Sequence, residues 1–332
     1  MAKPSMGGQA VLEGVMMKAP ERMALAVRRA NGAINVTVEE TEPAAKKHKA
    51  LGWPIVRGVV SFVQSFTMGY KTITLSAKML GEDFEEEQPS KFETWLSEKL
   101  GKKLEDVVMG VAMLLAIVLA AGLFIILPSL VATLLKQGID NPTVVNLLEG
   151  LTRLIIFFGY LLSVSRLKDI KRVFMYHGAE HKTVYCYESD LPLTVENAKT
   201  FSRLHPRCGT SFLFIVMAIS IVVFSVLGWD ATWYTRILSR LLLMPVVAGV
   251  SYEVLRFLGM HEGRVVSILR WPGLMMQKLT TKEPSDDMLQ VAIAAMNAAL
   301  GLPWQQEDIK AEEAQGEEGA PYAAQPASAA IE

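Results

Sequence analysis

Cysteine is almost missing from this chain, with 2 residues in 332, Cys186 and Cys208. So few exclude a disulfide framework, and both thiols are expected to be reduced. An excess of either charge is missing too: 33 lysines and arginines face 34 aspartates and glutamates, a net charge of −1. That balance carries no footprint of a polyelectrolyte, so nucleic acid is not among the expected partners. The opening MAKPSMGGQAVLEG has no apolar core of the length a secretory signal needs, which leaves membrane insertion to internal segments. No G-K-[ST] follows the glycines of GGQAVLEG and no G-x-G-x-x-G is present, so nothing indicates a nucleotide site. Internal repeats are lacking as well.

Apolar sequence is what the chain has in quantity: 51% of it is hydrophobic, and the charges cluster between apolar runs. Four runs approach the roughly 20 residues that cross a hydrocarbon core of about 30 Å. They place spans near 107–135 (with Pro128 ending or kinking the first part), 144–165, 210–228 and 237–258. Basic residues fix the orientation. Lys99, Lys102 and Lys103 precede the first span, and the loop after it holds Lys136 alone. The segment 166–209 carries eight lysines and arginines, the next loop none before Arg236, and Arg256, Arg264, Arg270, Lys278 and Lys282 follow. The alternation puts both termini and the loop 166–209 in the cytoplasm. The fold class is therefore mainly α, a polytopic membrane protein of about four spans, with the lipid bilayer as its first partner.

Smaller regions flank the spans. In 1–45, two alternating runs around Asn31-Gly32 predict a type I′ hairpin within a cytoplasmic β region of about three strands. Residues 53–81 are semi-apolar but carry Arg57, Gln64, Lys71 and Lys78, which predicts one or two amphipathic helices at the membrane interface. After the spans, 259–301 should be helical, with Ser285 as N-cap, Asp286 and Asp287 in a first turn, and Gly301 as the stop. The acidic connection after residue 81 reads as flexible, and 302–332 as a disordered tail.

Two constellations carry chemistry. The first is His177-Gly178-Ala179-Glu180-His181 in the segment 166–209. On a helix, His177 and His181 share a face and can share a tetrahedral metal, with Glu180 beside them as general base. H-x-x-E-H is the inverted zinc-peptidase pattern, and zinc would lower the pKa of its water to about 7. Gly178 counts against a helix, and two loop histidines with ordinary hydrogen bonds are the plain alternative. His205 and Cys208, in HPRCGTS, are the candidates to complete the shell, with Cys186 behind them and His261 and Glu262 weaker. The second constellation is Glu149, Arg153, Arg240 and Glu253, which lie inside spans and should face inward and pair. For Arg240 the favoured reading is a buried ion pair.

GGQAVLEGVMMK, YHGAEHKTVYCYE, HPRCGTSF, SYEVLR and PGLMMQKLTTKEPSDDMLQVAIAA together resemble the YqhQ-like family, bacterial membrane proteins often labelled predicted metal-dependent enzymes. The resemblance runs from about Gly7 to about Gly301. It implies a multi-pass protein of the bacterial inner (plasma) membrane, and it points to His177, Glu180, His181, His205 and Cys208. The function expected is a metal-dependent hydrolase, with Zn held by His177, His181, His205 and Cys208 and Glu180 catalytic. The alternative is a non-enzymatic membrane factor whose partner is another membrane protein or complex. Oligomerisation of the chain is a further expectation, and one that a transporter would require.

Overall fold

The computed structural model describes residues 6–41, 49–81, 104–226 and 233–304. The acidic connection and the tail beyond Trp304 lie outside these, so the flexibility expected of both falls outside the described residues. An antiparallel meander opens the chain: β1 Gly7–Val11, β2 Gly14–Lys18, β3 Arg22–Arg28 and β4 Ile34–Glu40, in the order β1-β2-β3-β4. The expected hairpin joins β3 to β4, but not through a type I′ turn. Only Gly32 takes a positive φ, and Gly32 N–H donates to Arg29 O while Arg29 N–H donates to Ala33 O. That is a three-residue loop closed by a left-handed glycine.

Helices follow. They are α1 Val56–Gly81; α2 Leu104–Ala121, which runs through a π turn at Gly122–Ile126 into α3 Leu127–Leu135; and α4 Pro142–Val164. Then come α5 Lys168–Glu188, α6 Val195–Lys199, α7 Gly209–Val226, α8 Trp233–Met260, α9 Arg264–Thr280 and α10 Asp286–Leu300. Among the described residues, three stretches are long and apolar enough to cross a membrane: Gly110–Leu135, Pro142–Val164 and Leu238–Met260. The fourth expected span is also helical, but its apolar part, Gly209–Ser225, is shorter than these. Residues 227–232 lie outside the described set.

The sheet is buried on both faces, which is why β2 and β3 read as nearly continuous apolar runs instead of alternating ones. Val15, Met17, Ala24 and Ala26 pack against α5 and the alanine-rich α10. Met16, Met23, Leu25 and Val27 pack on the other side against Met68, Leu75, Met79 and Leu80 of α1. The predicted C-terminal helix forms between Ser285 and Gly301, whose φ of 72° ends it, although the Ser285 hydroxyl makes no capping bond.

Within 53–81, where one or two helices were expected, Val56–Gly81 forms one long helix, and two of its charges, Arg57 and Lys71, are paired. Arg57 grips Glu253 of α8, with Nε donating at 2.7 Å, and Lys71 reaches Glu39 of β4 at 2.6 Å. A Cβ on Gly58 would sit 2.9 Å from Gly249 Cα, so two glycines let α1 and α8 cross closely. The ionisable residues expected inside the spans pair as their chemistry demands. Arg240 donates both terminal nitrogens to Glu149, Nη2 at 2.7 Å, and Arg153 approaches the same carboxylate at 3.5 Å. Pro128 neither ends nor breaks its span. Lacking an N–H, it leaves the Phe124 carbonyl four residues back without its helical donor, and Arg153 Nε supplies one at 3.0 Å.

Candidate metal centre

Helix α5 is where the HGAEH segment lies, and the apparent weakness at Gly178 has a packing cause. A Cβ there would fall on the Lys282 carbonyl oxygen, in the extended stretch between α9 and α10, and Lys282 N–H donates to Phe174 O at 2.8 Å. The glycine is what lets that strand-like segment lie against α5. Gly178→Ala should therefore destabilise the folded protein by about 1–3 kcal/mol, the usual range for an overpacked contact. Thermal unfolding in detergent beside Gly159→Ala, where a Cβ meets nothing within 4 Å, checks this.

On the face of α5 turned to the interior, the two histidines are held alike. His177 Nδ1 lies 2.9 Å from Thr280 O, and His181 Nδ1 lies 2.5 Å from Arg203 O. A carbonyl oxygen only accepts, so each ring carries its proton on Nδ1 and offers a lone pair at Nε2. Both Nε2 atoms point toward Cys208. His177 Nε2 is 3.2 Å from its sulfur, and the buried His181 Nε2 has no hydrogen-bond partner among the described residues. The three donor atoms lie within 4.8 Å of one another, and all three residues are buried. Tetrahedral zinc with bonds of about 2.0–2.3 Å separates its ligand atoms by roughly 3.3–3.8 Å. The triad is close to that spacing. Burial also holds His181 below the ordinary imidazole pKa, against the pull of the Cys208 sulfur, and so in its neutral, ligating form.

Cys208 is placed by a loop that Gln277 pins from α9. The wholly buried Gln277 amide accepts from His205 N–H and donates to His205 O, both at 2.8 Å, and also donates to Ser211 Oγ at 3.0 Å. Thr210 N–H then donates to the Cys208 sulfur at 3.4 Å, at the start of α7.

Glu180 is buried beside the triad, with Oε2 4.0 Å from His177 Nε2. Burial pushes its carboxyl up to about 7, with His177 pulling it the other way. Gly8 of β1 lies on this side chain: a Cβ there would come within 2.6 Å of Glu180 Cγ. The turn after β1 is tied down as well, since Arg172 of α5 pairs twice with Glu13 and Tyr176 hydroxyl donates to it at 3.2 Å. GGQAVLEG thus works as a lid over α5: a glycine for close approach and a glutamate for the clamp.

His205, predicted as a ligand, stands outside the triad. Its Nδ1 accepts from Arg207 N–H at 3.3 Å, which puts the proton on Nε2, 3.4 Å from Glu188 Oε2. Burial works to raise Glu188, but His205 and Arg207 outweigh it and hold the carboxyl below its ordinary value. Cys186 turns its sulfur to Pro192 O at 3.4 Å in the core beside the sheet, and His261 is exposed with Nδ1 at Phe257 O. Sequence reasoning missed Gln277 and the carbonyls of Thr280 and Arg203. Carbonyls leave no residue-type signal, and Gln277 acts across 72 positions. A cavity of about 640 Å³ opens beside the triad, bounded by β1, by Ser61, Gln64 and Ser65 of α1, and by His177 and Glu180.

Together these features define a class: a mainly helical chain with, among the described residues, three helices fit to span a membrane, and a buried triad made by two histidines of a sheet-covered helix and a cysteine from the loop before α7. The chain belongs to the family described as "Protein of unknown function (DUF1385)", whose model matches residues 53–302. It is 36% identical over 300 residues to the uncharacterized protein YqhQ of Bacillus subtilis (strain 168), covering 90% of this chain and 93% of that one. No solved structure matches it.

Proposed function

We propose that this protein is a metal-dependent hydrolase of the bacterial plasma (inner) membrane, crossing it about four times with both termini and the metal centre on the cytoplasmic side. One observation carries the reading. Three soft or borderline donors converge in a buried site, and one of them, His181 Nε2, has a lone pair that no described group satisfies. Buried polar atoms are normally satisfied, and an orphaned imidazole nitrogen facing a second imidazole and a thiol suits a zinc ion. Held by His177, His181 and Cys208, zinc would supply Lewis acidity toward water and a substrate carbonyl, with one of four positions open. The Thr280 and Arg203 carbonyls fix the ring orientations. Glu180, packed under Gly8 of β1 and raised toward neutrality by burial, is the proton acceptor.

Metal analysis of the detergent-purified protein tests this. Stoichiometric zinc is expected in the wild type, and its loss in His177→Ala, His181→Ala and Cys208→Ala; His205→Ala should retain it. A purified chain without transition metal sinks the reading. The exposed apolar residues of α1 (Phe62, Val63, Phe66) and α9 (Val265, Ile268, Leu269) are what contact with lipid requires, so they do not favour a non-enzymatic partner-binding factor.

A further inference from the structure

The sheet is covered on both faces and has one edge beside the metal centre, β1. Its register shows which peptide groups that edge presents. Arg28 N–H donates to Glu13 O at 2.9 Å, so the odd-numbered residues of β2 turn their peptide groups toward β3. Gly14, Met16 and Lys18 therefore turn theirs toward β1, opposite Val11, Gln9 and Gly7. Gly8 and Ala10 are left with amides and carbonyls on the outer edge, where no hydrogen bond from the described residues meets them.

That edge faces the cavity. Gly7, Gly8, Gln9 and Ala10 all line it, four residues in succession, whereas the face of a strand would contribute only alternate ones. Gly8 touches Glu180 of α5 on one side, and Gln9 lies against Gly69 of α1 on the other. The cavity thus occupies the place of one more strand, between α1 and α5, with His177 and Glu180 in its wall.

We infer that the substrate is an extended polypeptide segment that pairs with the edge of β1 as an added strand and presents its scissile amide beside Glu180. The chemistry rests on the hydrolase reading above; the recognition rests on the sheet edge alone. Backbone pairing supplies the affinity, and side chains alternate between the α1 and α5 walls. One water is consumed. Its oxygen joins the carbonyl carbon, the C–N bond breaks, and Glu180 passes the water's proton to the departing nitrogen, leaving a carboxyl group and an amine.

Hydrogen exchange on the full-length protein in detergent tests the pairing. The probes are a mixture of capped random decapeptides and the same mixture N-methylated at every amide. The unmodified mixture should slow exchange at Gly8 and Ala10 by about fivefold or more, and the methylated mixture should not. Ala10→Pro, which removes one outward amide and leaves the pairing to β2 intact, should weaken binding while keeping its zinc and the protection of α10. Equal protection by both mixtures, or none by either, overturns the inference. Protection that persists in a protein without zinc refutes the hydrolase and keeps the edge pairing. Zinc without protection of β1 does the reverse.

Discussion

Glu180→Gln should keep its zinc and lose turnover by about 10²–10⁴-fold, the range over which a positioned general base contributes. Release of amines from the capped decapeptide mixture measures it. Glutamine keeps the shape that Gly8 packs against but cannot take a proton, so metal content and folding serve as internal controls. Unchanged turnover would remove Glu180 from the mechanism. A second readout separates a buried working group from a structural one. With metal stripped, the wild-type carboxyl sits in the folded protein at about 7 against an ordinary value of 4.5. The folded state then binds its proton more tightly than the unfolded chain does. Stability is full below about pH 4.5, falls as the pH climbs through 7, and stays lower above that. A shift of this size corresponds to about 3 kcal/mol. Metal-free Glu180→Gln should therefore exceed metal-free wild type in stability by that order at pH 8, and the advantage should vanish near pH 4. A residue retained at such a disadvantage is serving something other than the fold.

How far the sequence could be read depended on whether the relevant signal was local. The long apolar runs are local, and three of them form helices of spanning length. The β3–β4 hairpin was visible in the Asn31-Gly32 pair and the alternation of β4, but its turn type was not, because Asn31 caps the loop through its side chain onto Ala33 N–H instead of taking a positive φ. Helix α5 was harder. Its polar residues face inward: Lys182 is 4% exposed, yet its ammonium reaches the Lys199 carbonyl and Glu283. Burial of that kind is set by distant partners and leaves no apolar stripe to find. The metal candidates show the same division. His177 and His181 follow from helical spacing alone, whereas Cys208 and His205 are equivalent on paper. Only Gln277, Glu188 and the fold of the loop turn one toward the triad and the other away.

Glu149→Ala should be the most damaging substitution in the helical bundle, destabilising by about 3–5 kcal/mol, as expected when a buried pair loses one partner. Glu149 is the anion for two guanidinium groups, Arg240 from α8 and Arg153 from its own helix. Both guanidinium groups also lie over the Phe224 ring, at 5.5 and 5.7 Å. Removing the carboxylate leaves two like charges on one aromatic ring with little water. Arg240→Ala should be milder, because Glu149 keeps Arg153, and Arg153 keeps the Phe124 carbonyl that Pro128 leaves open. The order Glu149→Ala worse than Arg240→Ala is the signature of a shared anion, and unfolding in detergent measures it. Zinc content per folded molecule should stay unchanged in both, since neither residue touches α5. If Glu149→Ala is no less stable than wild type, the cluster does not hold the bundle together. If it instead loses zinc while remaining folded, the ion pair and the candidate metal centre are coupled, and the charges inside the helical bundle belong to the site.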